Sequence, residues 1–385
     1  MPRTVLLLHS SAGLYGADVQ LLAIARGLDP GRWRPVCVLP ERGQLADRLE
    51  QAGAEVVVHP LAVLRRSLAG PLGLVSMARA LARDRRVLGA LARDRGVAVV
   101  HDNTSVVLGG AAVARRAGAA HVVHVREVWT GGGRAGRAVW PLMRRRILRA
   151  DAVLCISQAV GAQFPASKAR LLRDGLPRVP MPPPRAAARE ALGLPPDAFV
   201  VALVGRVHPW KGQDVLARAL AQPELADIGA IGLVAGDPVP GSDQGDRLDA
   251  LARELGVQDR LVRLGFRDDV DTVLGAADAV TVPSTRPEPL GLVAIEAAAA
   301  GLPVVASAAG GVAEVVGDGQ AGLLVAPGDH RELARALAWL AGDPPEAARW
   351  RAAAPERVAR EFSMRGMMER LQGIYDDLAK FRDTP

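Results

Sequence analysis

Glu288 and Glu296 stand eight residues apart in Glu-Pro-Leu-Gly-Leu-Val-Ala-Ile-Glu, and this pair is the strongest chemical statement in the sequence. A Pro-Leu-Gly turn separates the first carboxylate from an alanine-rich helical segment that carries the second. At about 1.5 Å of rise and 100° of rotation per helical residue, eight steps put the carboxylates roughly 12 Å apart on nearly one face. Between them lies the start of that helix, at Leu290-Gly291-Leu292, with unpaired backbone N–H groups and the positive end of its dipole. Such a site takes hydroxyl groups at its two ends and a negative group in the middle. A sugar nucleotide has that layout.

A second cluster opens the other half of the story. Val201-Ala-Leu-Val-Gly205-Arg206-Val-His-Pro-Trp-Lys211-Gly212 reads as a strand running into glycine, then two cations flanking a loop that leads into a helix. Arg206 can fork onto two phosphate oxygens, and Lys211 offers a mobile point charge. Lysine occurs elsewhere only at Lys168 and Lys380, so a lysine in this arginine-biased chain carries information. Gly236-Asp237 and Leu264-Gly265-Phe266-Arg267 are two further strand-to-helix turns, open to a ribose or a base edge. Asp269-Val-Asp271 matches a metal-binding D-x-D, but its position before a helical segment reads better as an acidic first turn. No metal site is expected.

These residues must be held by elements, and the pattern of those elements is regular. Short apolar runs alternate with helical segments throughout, the signature of parallel sheets covered by helices. The expected strands are Thr4–His9, Pro35–Leu39, Val56–His59, Ala98–His101, Ala120–Arg126 and Ala152–Ile156 in the first half. In the second half they are Val200–Val204, Gly229–Ala235, Arg260–Leu264, Ala279–Val282, Pro303–Ala306 and Gly322–Val325. The proline-dense Asp174–Arg185 segment cannot continue a helix or a central strand, so it marks the domain boundary. The reading is α/β, with two doubly wound domains at 1–178 and 185–360 and a terminal helix in 361–385. Helical spacing of Met364, Met367, Met368, Leu371, Ile374 and Leu378 suits either a return across the first domain or an ordinary core-facing helix.

At 385 residues and 49% apolar content, each half is large enough for its own core, and no apolar run approaches the roughly 18 residues of a membrane span. The first apolar run is too short for a signal-peptide core, so the chain is expected in the cytoplasm. Cys37 and Cys155 read as small buried hydrophobes. The net charge of +7 permits anionic partners without choosing one. Nucleic acid is disfavoured by 3% aromatics and the lack of zinc ligands.

In combination and order, Gly205-Arg206…Lys211-Gly212, Gly236-Asp237, Leu264-Gly265-Phe266, Glu288…Glu296, Ala300-Gly301-Leu302-Pro303-Val304 and Gly310-Gly311 resemble the C-terminal domain of retaining glycosyltransferases of family 4. The first half resembles them more loosely, through Gly13 and Gly16 after the first strand, Ile156-Ser157, and Asp174-Gly175. The resemblance implies a GT-B fold, two Rossmann-like domains facing across a cleft, the first for the acceptor and the second for a nucleotide-sugar donor. It implies that Arg206 and Lys211 hold the donor diphosphate, with N–H groups at Leu290, Gly291 and Leu292 capping it. Glu296 would receive the ribose hydroxyls, and Glu288 the donor sugar. Gly205, Gly236 and Phe266 line the donor loops, Arg267 lies near the base, and Gly16 allows close approach of the first loop. Neither cofactor nor metal is implied.

One departure concerns the first half. The family places a histidine followed by an acidic residue at the end of a central strand, whereas this chain reads His124-Val-Arg126-Glu127. Alternation puts His124 and Arg126 on one side of the strand, so either reaches the position, although an arginine cannot act as a base. His101 and Asn103 are weaker acceptor-site candidates. Arg144-Arg145-Arg146 with Trp140 and Met143 suits either a peripheral contact with an anionic membrane at the inner face, near a lipid-linked or other sugar-containing acceptor, or a solvated helix face. Two other readings stay open: an epimerase-like enzyme on sugar nucleotides, and a non-catalytic scaffold that keeps the nucleotide pocket.

Overall fold

The computed structural model describes residues 1–65, 71–129, 134–317 and 319–383; residues 66–70, 130–133, 318 and 384–385 lie outside that description. The chain divides into two units, Met1–Pro177 with Ser363–Pro385, and Arg178–Phe362.

The first unit holds seven parallel strands: β1 Arg3–Leu8, β2 Trp33–Leu39, β3 Glu55–Val58, β4 Val97–Asp102, β5 Ala120–Val125, β6 Ala152–Cys155 and β7 Ala169–Leu171. Their order is β3-β2-β1-β4-β5-β6-β7, so the winding reverses between β1 and β4. The second unit holds six: β8 Val200–Val204, β9 Ile231–Ala235, β10 Leu261–Gly265, β11 Ala279–Val282, β12 Val304–Ser307 and β13 Gly322–Val325. Their order, β10-β9-β8-β11-β12-β13, reverses between β8 and β11. In sheets of this kind ligands sit beyond the strand C-termini at the reversal point. The reversal points are therefore the places to look.

Burial follows from composition. Val5 to Leu8 of β1 and Val122, Val123 and Val125 of β5 are wholly buried, as continuous apolar runs covered on both faces should be. All twelve strands expected from the sequence form. β7 was not expected, because Ala-Arg-Leu is a short, half-exposed edge without an apolar run. Cys37 and Cys155 are buried, and burial pushes both thiols up to about 12.

The boundary differs slightly from the sequence reading. The proline-rich segment is divided: residues 174–177 stay with the first unit, and the rest belongs to the second, where Arg178 pairs with Asp271 at 2.7 Å and Arg185 with Asp278 at 3.1 Å. The helix Met364–Asp383 belongs to the first unit, where Met367, Leu371 and Tyr375 are wholly buried beside the helix Gly16–Gly27. Tyr375 meets Trp33 edge-on at 5.2 Å, and its hydroxyl bonds to His101 Nδ1. Among the described residues no helix is long and apolar enough to cross a membrane.

Candidate functional site

At the reversal point of the second sheet, the loop after β8 meets the loop after β11. Gly212 takes a left-handed φ of 80°, and a Cβ there would lie 2.1 Å from the Pro283 carbonyl oxygen, so only glycine lets the loops touch. The Thr285 N–H donates to the Trp210 carbonyl at 2.9 Å. This contact places Lys211 over Glu288, with Nζ 3.0 Å from each carboxylate oxygen. Glu288 is buried to 7% exposure, and Ser284 Oγ donates to its Oε2 at 2.9 Å. Its backbone is fixed too, with the Gly311 N–H donating to the Glu288 carbonyl at 2.7 Å.

The helix Leu292–Ala299 starts at Gly291, which caps it with no side-chain hydrogen bond. No side chain caps its first N–H groups, and the helix begins four residues after Glu288. Glu296 lies half-buried on this helix. Burial raises its carboxyl to about 7; the like charge of Asp271 adds to that, while Arg178 opposes it.

Arg206 follows Gly205 on the β8 loop, half-buried, and its carbonyl accepts from Gln213 Nε2 at 3.1 Å. Gly236, after β9, packs so closely on Gly205 that a Cβ would lie 2.2 Å from the Gly205 carbonyl oxygen. Phe266, after β10, presents its ring to solvent at 54% exposure while its N–H donates to Asp237 Oδ1 at 3.0 Å. Arg267 is held by Asp269, Nε to Oδ1 at 2.7 Å. Asp269 and Asp271 stand at the N-cap and in the first turn of the helix Val270–Ala276, as expected, and pair there with Arg267 and Arg178.

The first unit also gathers polar residues at its reversal point. His9 Nε2 and Asp18 Oδ1 are 2.7 Å apart, and Asn103 Nδ2 meets His9 Nδ1 at 3.0 Å. Asp18 also accepts from Ser11 Oγ and the Tyr15 N–H, which fixes the loop before Gly16. A Cβ on Gly16 would meet nothing within 4 Å, so the space beside it is open.

His124 and Arg126 do lie on one side, with Nδ1 and Nη2 3.3 Å apart, but both are interior. Arg126 Nη1 donates to Asp174 Oδ1 at 2.6 Å and its Nε to the Asn103 carbonyl at 2.9 Å. Burial, then the Arg126 charge, holds His124 well below the usual imidazole range and His101 down at about 3. Rings held neutral that firmly are weak proton acceptors. Glu127 accepts from Ser105 Oγ at 2.5 Å.

The helix Arg134–Ile147 sorts the arginine cluster. Met143 is buried, and Arg146 turns inward to Asp102 at 3.1 Å. Trp140, Pro141, Arg144, Arg145, Leu148 and Arg149 line an open groove of about 700 Å³. Trp140 stacks on Trp129 at 6.0 Å.

Sequence reading named Arg206, Lys211, Glu288 and Glu296, read Asp271 only as part of an acidic first turn, and missed Ser284 and Arg178. A serine four residues before Glu288 at a strand's C-terminal end was a usable signal. The Arg178 pairing joins residues 93 positions apart and left none.

Residues 184–357 match the family model "Glycosyl transferases group 1", and residues 15–174 match "Glycosyl transferase 4-like domain". The chain is similar to D-inositol 3-phosphate glycosyltransferases of Stackebrandtia nassauensis, 41% identical over 213 residues (54% of this chain, 48% of the relative). The corresponding protein of Saccharomonospora viridis is 44% identical over 211 residues (53% and 48%). The chain spans about half the length of the curated relatives it matches. Among solved structures, Anabaena HepE in complex with UDP and glucose aligns over 97% of this chain and 99% of its own, with 26% identity and a TM-score of 0.81. A glycosyltransferase from Rickettsia africae reaches the same TM-score at 18% identity, over 98% and 99%, which shows the fold.

Proposed function

The chain belongs to the GT-B glycosyltransferases of family 4, and from that membership we propose that it transfers a sugar from a nucleoside-diphosphate donor to a hydroxyl acceptor, with retention at the anomeric carbon. The observation that carries this reading is the Lys211–Glu288 pair beside an uncapped helix end, at the reversal point of the second sheet. In the proposal Lys211, Arg206 and the N–H groups at Leu290–Leu292 receive the diphosphate, whose oxygen keeps the electron pair as its bond to the sugar breaks. Glu288 faces the sugar and Glu296 the ribose hydroxyls. Phe266 and Arg267 border the base. HepE complexes with UDP and UDP-glucose support a uridine donor as the first to try.

His124 and Arg126 act in this proposal by shaping the floor of the first unit. The acceptor then approaches on the face the diphosphate leaves, which gives retention. Product analysis by NMR should show the donor's anomeric configuration preserved and turnover unaffected by a chelator; inverted product would refute the retaining step.

A pH dependence follows from Glu296. Two ribose hydroxyls need an ionised carboxylate as double acceptor, and the folded carboxyl stands near 7, above its ordinary 4.5. Nucleoside-diphosphate binding should thus be about tenfold weaker at pH 6 than at pH 8, because the ionised fraction of a single group near 7 falls from about nine-tenths to about one-tenth. The free protein behaves oppositely: holding this proton more tightly when folded, it loses stability as pH rises from 4.5 to 7. Calorimetry on wild type and Glu296→Gln checks the binding arm; an equal slope in the variant would assign the effect elsewhere.

A further inference from the structure

Trp210 is not among the motif residues, yet its ring and its carbonyl both act at the donor loops. The Lys211 ammonium lies 4.2 Å from the centroid of the indole ring, while its other partner is the Glu288 carboxylate. The Trp210 carbonyl accepts from Thr285, and the ring stands edge-on to His208 at 6.1 Å. The Trp210 backbone is thus tied to the loop after β11, and its ring packs on His208 on one side and under the Lys211 ammonium on the other.

The two partners of Lys211 differ in what they do when an anion arrives. The carboxylate is itself an anion and competes with a phosphate for the ammonium. The indole face attracts the cation through its quadrupole and brings no charge, so it restrains Lys211 without neutralising it. A lysine already confined loses less rotamer freedom on meeting its ligand.

We infer that Trp210 is a positioning residue for the donor diphosphate: its indole face keeps the Lys211 ammonium at the phosphate site when Glu288 exchanges Lys211 for the sugar. This rests on the donor reading above and adds a residue to it.

The test is calorimetric titration of UDP and of uridine into wild type, Trp210→Leu, Trp210→Phe and Trp210→Ala. Leucine keeps bulk and removes the π face; phenylalanine keeps a face. Cation–π attraction at a partly desolvated site corresponds to roughly a tenfold change in affinity. UDP should bind about tenfold more weakly to the leucine and alanine variants and within about threefold of wild type to the phenylalanine variant. Uridine, which lacks phosphate, should be unaffected in all of them. Donor KM should follow UDP affinity, with kcat changing less. Unchanged UDP affinity in Trp210→Leu would overturn the inference, as would equal loss of uridine, which would mark a structural role. If wild type bound neither probe, the uridine-donor reading would fall, an outcome distinct from failure of the Trp210 inference.

Discussion

Glu288→Gln is expected to lower turnover by about 10²–10³-fold while nucleoside-diphosphate affinity stays within a few-fold of wild type. The two halves of this expectation come from different features. The carboxylate is fixed by Ser284, by Lys211 and by its own backbone bonds, so it stands ready to interact with charge developing at the sugar. Loss of one such preorganised group typically costs a factor of that size. Affinity for the diphosphate, by contrast, is expected under the proposal to depend on Lys211, Arg206 and the helix end. Replacing an anion that competes for Lys211 with a neutral amide removes a rival of the phosphate, and the isosteric side chain keeps the packing. A scaffold without activity would show no turnover in the wild type at all. Parallel loss of turnover and nucleotide affinity in the variant would place Glu288 in ground-state binding instead.

Deletion of residues 363–385 should unfold the first unit. Met367, Leu371 and Tyr375 are wholly buried in its core, and the Asp29 N–H donates to Gln372 Oε1 at 2.9 Å while Trp33 Nε1 donates to Asp376 Oδ1 at 3.1 Å. Removing the helix uncovers the core around the helix Gly16–Gly27 and leaves these two donors without their partners. Tyr375→Ala alone should cost about 3–5 kcal/mol, as large aromatic truncations do, and leaves His101 Nδ1 without its hydroxyl partner. Hydrogen exchange resolves the effect by unit: protection should vanish across β1, β4 and β5 and persist across β8 and β11. Undiminished protection in the first unit would show the helix to be an appendage.

The fold was legible because each strand is a short apolar run bounded by glycine or polar residues, and the parallel, doubly covered sheets demand such runs. The edge strand β7 was not, since an edge needs no apolar run. The candidate donor residues could be picked out because their spacing is local: Arg206 and Lys211 share one loop, Glu288 and Glu296 one turn and helix. What joins those two segments was hidden. The Lys211–Glu288 contact spans 77 positions and depends on Gly212 lying against Pro283, which no single-segment pattern displays. The first unit shows the same limit. Alternation put His124 and Arg126 on one side, yet their burial depends on Asp174, 48 residues beyond Arg126. Arg178, read as linker, turned out to belong to the electrostatic surroundings of Glu296.

The measurement that tests the central claim most directly is calorimetric titration of the purified chain with UDP, GDP, ADP and TDP, repeated on Glu296→Ala. One nucleoside diphosphate should bind clearly above the others and lose most of its affinity in the variant, which would establish the donor class along with the site. No binding by any of the four at millimolar concentration, or binding that Glu296→Ala leaves intact, would contradict the assignment of the second unit as the donor site.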